Sequence, residues 1–375
     1  MAQNISGTNP TVVVCGSIHQ DTMVSIDTFP EPGQTMIVNE GVKALGGKGA
    51  NQAVAAALAE AQTKILGTVG EDIAADEVLA ELTAKGVDVH AVQTTWDRPT
   101  GTAFIASERE GAPRIFVQRG ANMETDPTDF ADDIAKANVL LSQGELMPEA
   151  IETLASLASL SGTRFVLNLS PVTVATPTLI DNADPLVVNT RCLWEVLLEL
   201  DLTTGIRRGD LSTQIDALLQ YAPSIVVTLS DKGCVYSEAE VDGGDGKLWY
   251  QPAVTVPADE VIDGTGSGDA FSGTLAAELA RGSSLQEAVE LAVCAGSQAV
   301  RSLGATSSYV ELPVLKRMVA ENVLPERIEY VDSSTVADFV DTLSEKQEAG
   351  ERRKRAATSS FAAIQVENLD GDSGN

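Results

Sequence analysis

One short stretch gathers residue types that can handle an anion and a proton together: Asp263-Gly264-Thr265-Gly266-Ser267-Gly268-Asp269-Ala270-Phe271. Glycines on alternate positions let backbone N–H groups converge on one point. Phe271, Leu275 and Leu279 recur at helical spacing, with Gly282 where a stop falls, so the spacing predicts a helix directly behind the glycines. The positive end of that helix favours an anion, phosphate above all. Asp269 does not suit a plain anion site, because a carboxylate repels the anion. It suits a site in which it accepts a proton from a hydroxyl that then attacks phosphorus. A second reading stays open on these residues alone: Asp269 stabilises a helix start and the glycines make a tight turn.

A second stretch, Gly46-Gly47-Lys48-Gly49-Ala50-Asn51-Gln52-Ala53-Val54-Ala55-Ala56-Ala57, puts a cation, an amide and exposed backbone at the head of an alanine-rich helix predicted over Ala50 to Ala61. Close packing on a sheet accounts for Ala53 to Ala57. It does not account for Gly46-Gly47-Lys48-Gly49 or Asn51, whose donors suit sugar hydroxyls. Taken together and in this order, the two stretches resemble the signature motifs of the ribokinase family of sugar and nucleoside kinases, the phosphofructokinase-B-like group. The resemblance runs from Thr11 to Pro313, takes in Gly16-Ser17-Ile18 and Phe29-Pro30-Glu31-Pro32-Gly33, and fades beyond.

The resemblance implies an ATP-dependent kinase that phosphorylates the primary hydroxyl of a pentose, D-ribose to ribose 5-phosphate. Asp269 would be the general base, and the N–H groups of Gly266, Ser267 and Gly268 the anion hole for the transferred phosphoryl group. It assigns Asp21, Gly47, Lys48, Asn51 and Glu145 to the sugar, with His19 beside them. Asn189, Ser230, Lys232 and Gly233 fall on the nucleotide side, with Thr228 nearby. Position by position, Asp263, Thr265, Ala299, Ser302, Gly304 and Ser308 match a loop that rings a monovalent cation, K+, with carbonyl oxygens. The expected small molecules are therefore ATP with Mg2+, K+ and the sugar, and the expected assembly is a homodimer through the lid.

Two positions depart from the family pattern. His19 stands two residues before Asp21 where ribokinases carry an asparagine, and it offers a different donor and acceptor geometry. The family's Asn-x-x-Glu appears here as Asn189-Thr190-Arg191-Cys192, which replaces a carboxylate by a thiol near a metal that prefers oxygen. Arg191 offers a substitute charge for phosphate. Asn168-Leu169-Ser170-Pro171 is also looser than the usual Asn-Pro pair. Two alternatives follow: a kinase of the same family acting on another sugar or a nucleoside, or a sugar-binding or regulatory protein with impaired phosphoryl transfer.

The elements that must carry these residues are legible as short apolar strands with polar tips. Thr11 to Cys15 ends in Gly16, Ser17, His19 and Asp21; Val139-Leu140-Leu141 in Gln143 and Glu145; Phe165-Val166-Leu167 in Asn168; Leu186-Val187-Val188 in Asn189; Ile225-Val226-Val227 in Thr228 and Ser230. Strands apolar on consecutive positions, alternating with helical stretches such as Ser283 to Arg301, predict an α/β fold with a doubly wound, mostly parallel sheet flanked by helices. Its ligand crevice lies at the strand carboxyl ends. Two intervals, residues 22–44 and 98–119, break that rhythm with extended segments and turns, Glu110-Gly111-Ala112-Pro113 being hairpin-like. In ribokinase-like proteins such segments form a small β lid that excludes water. The expected kinase domain is 11–325. Residues 326–375 form an extension, with a charged helix over Glu345 to Arg355 and a disordered tail over Asn368 to Asn375.

Composition narrows the partners. Of 375 residues, 54 are acidic and 25 basic, and the net charge of −29 opposes binding to nucleic acid or anionic membranes. The four cysteines, Cys15, Cys192, Cys234 and Cys294, show no metal-ligand spacing, and two histidines far apart support no histidine triad. Free thiols and a first segment, Met1 to Pro10, without signal-peptide character lead to a cytoplasmic expectation.

Overall fold

Alternate residues of each central strand feed opposite cores. Val12, Val14, Val139, Leu141, Val166, Val187 and Val226 pack on one side of the sheet, and Val13, Cys15, Leu140, Phe165, Leu167, Val188 and Val227 on the other. That alternation is the mark of strands buried on both faces, and it gives three layers. The computed structural model describes residues 10–38, 40–108, 114–240, 244–332 and 334–337.

The strands are β1 (Thr11–Cys15), β2 (His19–Ile26), β3 (Val42–Gly46), β4 (Gln62–Leu66), β5 (Thr68–Gly70), β6 (Gln93–Thr95), β7 (Thr102–Glu108), β8 (Arg114–Gln118), β9 (Val139–Gln143), β10 (Arg164–Asn168), β11 (Leu186–Asn189), β12 (Ser224–Thr228), β13 (Gly233–Glu238), β14 (Trp249–Pro252) and β15 (Ile328–Glu329). The helices are α1 (Lys48–Leu58), α2 (Ile73–Ala84), α3 (Ala131–Lys136), α4 (Pro148–Ser161), α5 (Pro177–Asp181), α6 (Thr190–Glu199), α7 (Leu211–Leu218), α8 (Ser267–Arg281), α9 (Leu285–Ala299) and α10 (Leu312–Ala320).

The large sheet runs β15-β14-β13-β12-β11-β10-β9-β1-β4. From β4 through β12 the neighbours pair in parallel, and β13, β14 and β15 add antiparallel edges. The doubly wound, mostly parallel sheet expected from the strand pattern is therefore present. Helices α1, α2, α8, α9 and α10 share one core and α3 to α7 the other. Because the central strands are parallel, the polar tips of β1, β9, β10, β11 and β12 all emerge along one edge.

The lid is a four-stranded sheet, β3-β2-β7-β8, in which β2 and β7 run parallel and the outer pairs antiparallel. It occupies both intervals that broke the α/β rhythm, although residues 27–38 form bends and turns without a strand. It leaves Phe104 and Phe116 exposed on one face and Val42, Ile115 and Val117 on the other. The turn at Glu110 to Pro113 lies outside the described residues, as do the helix expected over Glu345 to Arg355 and the tail from Asn368. Ile328–Glu329 completes the large sheet and Tyr330 and Val336 join its core, so packing continues past Pro325. Among the described residues, no helix is long and apolar enough to cross a membrane.

Candidate active site

Two helix starts meet at the carboxyl edge of the sheet. Helix α1 begins at Lys48 after Gly47, whose φ of 87° is left-handed and whose added Cβ would meet the Ser17 carbonyl oxygen at 2.7 Å. Helix α8 begins at Ser267 after Gly266, with φ of 77° and Ala305 Cβ 2.5 Å from an added Cβ. Both glycines are thus required by turn and by close approach. The two helices pack tightly because Gly273 presents no side chain where Gln52 O would stand 2.3 Å away.

That contact brings the donors of α1 onto Asp269, which is 5% exposed. Asn51 Nδ2 donates to Asp269 Oδ2 at 3.0 Å and Gln52 Nε2 donates to Oδ1 at 2.9 Å. Lys48 Nζ stands 3.7 Å from Oδ1. The Asp269 charge, opposed by burial and helped by Glu145, holds the Lys48 ammonium above its ordinary value. An Asp that merely caps a helix accepts backbone N–H groups of the first turn. Asp269 accepts side-chain donors from another helix instead.

Glu145 closes the second half of the group. It accepts the Lys48 backbone N–H at 3.0 Å and, on the same oxygen, a short hydrogen bond from Ser17 Oγ. Burial pushes its carboxyl up, but Lys48, His19 and these bonds outweigh burial and hold it below its usual range. Asp21 lies on β2 against Gly46, where an added Cβ would meet Asp21 Oδ2 at 2.0 Å. Burial, reinforced by the Glu145 charge, pushes Asp21 up to about 7. Burial lowers His19 from its ordinary 6.5, opposed by Glu145. His19 Nδ1 is 3.8 Å from Asp21 Oδ1, too far for a hydrogen bond.

Three buried polar atoms of this group have no protein partner: His19 Nε2, Asp21 Oδ1 and Asn51 Oδ1. Buried polar atoms are normally satisfied, so a cluster of orphans marks the place of a polar ligand. All of them belong to residues assigned to the sugar from the sequence. Gly264 and Gly268 leave open space beside the start of α8, since an added Cβ on either would meet nothing within 4 Å. Of the three anion-hole N–H groups expected, that of Ser267 donates to Gly264 O at 3.3 Å. Tyr309 OH donates to Gly266 O at 2.9 Å and braces the turn from behind.

The remaining assignments fall into two groups. Asn189 and Thr228 are register partners at the tips of β11 and β12. Asn189 Oδ1 caps α6 by accepting the Cys192 N–H at 2.8 Å, so its oxygen is committed to the helix start. Ser230 and Lys232 are exposed on the turn after β12, and Gly233 has φ of 102° with Gln251 O 2.1 Å from an added Cβ. Among the cation candidates, Asp263 Oδ1 accepts Thr265 N at 2.9 Å and Thr265 Oγ1 at 2.7 Å, and Asp263 Oδ2 accepts Gly304 N at 2.9 Å. Ser308 Oγ donates to Ala305 O, Ala299 ends α9, and Ser302 lies in the loop between. The Asp263 bonds clamp the anion turn to that loop.

Cys192 is buried in the first turn of α6. Arg191 does not stand in for the missing carboxylate: its Nε donates to Glu195 Oε1 at 2.8 Å on an exposed face. Among the described residues, no three His, Cys, Asp or Glu side chains gather to hold a metal ion.

Comparison with known proteins decides the family. Residues 9–312 match the family described as pfkB family carbohydrate kinase. The chain belongs to this family. Ribokinase of Staphylococcus aureus is 29% identical over 316 residues, covering 82% of this chain and 98% of that protein. Ribokinase of Schizosaccharomyces pombe is 30% identical over 313 residues, covering 80% and 95%. The structure of Arabidopsis thaliana ribokinase complexed with ribose and ATP superposes with a TM-score of 0.73 at 26% identity, covering 83% of this chain and 99% of that one. This pfkB-family chain is an ATP-dependent sugar kinase, with the ribokinase-like fold that the two sequence motifs implied.

Sequence reasoning missed four contributors to the site. Ser17 and Gln143 stood at strand tips without a role, Gln52 sat inside a motif read for its neighbours, and Tyr309 carried no local signal. Their roles depend on contacts across the fold.

Proposed function

We propose that this sugar kinase transfers the γ-phosphoryl group of ATP to the primary hydroxyl of a pentose, D-ribose to ribose 5-phosphate. The observation that carries the reading is Asp269, a buried carboxylate oriented by side-chain donors at a glycine-lined helix start, next to a cluster of orphaned polar atoms. Asp269 accepts the hydroxyl proton as the oxygen attacks phosphorus, and the proton remains on Asp269 until product leaves. The N–H groups of Gly266, Ser267 and Gly268, at the positive end of α8 and beside the open space at Gly264 and Gly268, face the charge on the transferred group. His19, Asp21, Asn51 and Glu145 hold the sugar hydroxyls, and Lys48 lies between sugar and phosphate. Asn189, Thr228, Ser230, Lys232 and Gly233 form the nucleotide side.

Mg2+ fits here as a partner of the nucleotide phosphates and water, because magnesium keeps several waters and, among the described residues, no three His, Cys, Asp or Glu side chains gather to hold it alone. Residues Asp263 to Thr265 and Ala299 to Ser308 are held together closely enough to supply carbonyls to K+. The apolar lid face suits a second copy of the chain, giving a homodimer in the cytoplasm. Sedimentation across a concentration series, with Phe104→Glu as the disrupted form, tests the pairing.

His19 favours a second reading, a kinase for another sugar or a nucleoside, because an imidazole reads hydroxyl positions differently from an amide. Coupled ADP release across pentoses, hexoses and nucleosides, with ATP and Mg2+ fixed, separates the two. Ribose giving the highest kcat/KM supports the first reading, and any other acceptor ahead of it overturns the ribose assignment. No sugar-dependent ADP release at all would indicate a binding protein.

A further inference from the structure

We propose that Gln52 is a positioning residue for Asp269 and that Gln143, which Gly16 leaves room for, sets its orientation. The inference rests on Asp269 being the base. Gln52 is wholly buried, and every polar atom of its amide is engaged. Its Nε2 donates to Asp269 Oδ1 at 2.9 Å and lies 3.3 Å from Asn168 Oδ1, while its Oε1 accepts Gln143 Nε2 at 2.9 Å.

An amide can be turned end for end at little steric cost, and only its partners fix which end is which. Turned over, Gln52 would present its oxygen to the Asp269 carboxylate, two acceptors face to face in a buried site. Gln143 blocks that state by holding a donor against the oxygen end. Gln143 fits there because Gly16 lacks a side chain: an added Cβ would fall 2.0 Å from Gln143 Oε1, a buried atom with no protein partner. The chain Gly16, Gln143, Gln52, Asp269 thus runs from the tip of β1 through the tip of β9 and helix α1 to the start of α8. It fixes the carboxylate plane, with Asn51 fixing the second oxygen. A base misaligned by a rotation about its side-chain bond loses rate without losing substrate.

The groups that act on Asp269 electrostatically are few. Lys48 faces it from α1 at 3.7 Å, Asp21 on β2 is raised in part by its charge, and Tyr309 hydroxyl is raised by burial and then by Asp269. Gln52 is the neutral donor among them. Removing it changes orientation and local hydrogen bonding without changing net charge.

The test is a kinetic comparison of Gln52→Leu, Gln52→Glu and Gln143→Met in the full-length protein, with Asp269→Asn as reference. Gln52→Leu is expected to lower kcat by about 10- to 100-fold with both KM values within about threefold. Gln52→Glu, an acceptor of the same size, is expected to move the acidic limb of the kcat–pH profile upward by about one pH unit, as two carboxylates share the site. Gln143→Met, which removes the donor to Gln52 Oε1, should follow in the same direction with a smaller loss. A purely structural role would lower the melting temperature and leave the acidic limb where the wild type has it, and that result overturns the proposal. If the Gln52 variants do not fold, an unchanged kcat and acidic limb in folded Gln143→Met overturns it equally. Full turnover in Asp269→Asn overturns the base assignment instead, and the relay with it, whereas loss in Asp269→Asn with normal Gln52→Leu overturns the relay alone.

Discussion

Lys48 Nζ stands 3.7 Å from Asp269 Oδ1, joining the starts of two helices that lie far apart in the sequence. The pairing is half-open to solvent on the lysine side and closed on the aspartate side, so the ammonium can follow a ligand while the carboxylate stays fixed.

The fixed member is the one whose loss stops chemistry. Asp269→Asn keeps the shape and removes the proton acceptor, and turnover should fall by about 10²- to 10⁴-fold with sugar and nucleotide affinity largely retained. Single-turnover kinetics together with equilibrium binding measure both halves, and unchanged turnover would refute the base.

Position 19 should govern which sugar is taken. His19 is buried with Nε2 unpartnered, beside the unpartnered Asp21 Oδ1. His19→Asn should change the ranking of sugars by kcat/KM and leave the ATP KM within about twofold, since one hydroxyl contact discriminates by roughly 1–2 kcal/mol. A variant that changes only the ATP KM would put the sugar on the other side of the crevice.

Asp21 yields a pH dependence whose sign can be worked out. Burial first, then Glu145, raises its carboxyl from 3.8 to about 7 in the folded chain. The folded state therefore holds that proton more tightly than the unfolded state, and the associated stability is full below pH 4 and is lost as pH rises through 7. Asp21→Asn removes the titration, so it should raise the melting temperature of the ligand-free protein at pH 8 by clearly more than it does near pH 5. The rise corresponds to at most about 4 kcal/mol at pH 8, reduced by relaxation and water. An equal gain at both pH values would mean that Asp21 does not titrate in this range.

Cys192 tests metal handling. It lies buried in the first turn of α6, its N–H bonded to Asn189 Oδ1. Cys192→Glu restores an oxygen ligand at a helix start, where a carboxylate is favoured. The expected outcome is a lower Mg2+ requirement or a turnover raised about 2- to 10-fold. A wild type already fast at low Mg2+ and slowed by the change would show that the thiol is no handicap.

Gly273→Ala probes the helix contact itself. The new methyl would meet Gln52 O at 2.3 Å and Ala55 Cβ at 2.6 Å, so α8 must move away from α1. Stability should drop by about 1–3 kcal/mol in urea unfolding, and kcat should fall with it, because Lys48, Asn51 and Gln52 reach Asp269 across this contact. Normal kcat with reduced stability would show that the site tolerates the shift.

The sequence by itself determined a good deal. Thr11–Cys15 and the apolar strands with polar tips carried the parallel sheet, because strands buried on both faces must be apolar on consecutive positions. Glycine-rich turns ahead of Asp269 and Lys48 carried both helix starts, because only glycine adopts the left-handed turn at 47 and 266 so readily. Asp269 was legible because a carboxylate in an anion turn is chemically odd. What tertiary structure alone decided is who faces whom. Gln52 and Asp269 are 217 positions apart, and nothing local in an alanine-rich helix distinguishes a packed glutamine from one that orients a base. Asn189 reads as a nucleotide residue in the sequence, and only the folded structure shows that its oxygen also accepts the Cys192 N–H. Ile328–Glu329 was too short to register as a strand, and it forms one because β14 offers a free edge. Periodicity and turn chemistry act between neighbours in the chain and are written there, whereas hydrogen-bond partners across the crevice exist only once α1 and α8 have packed.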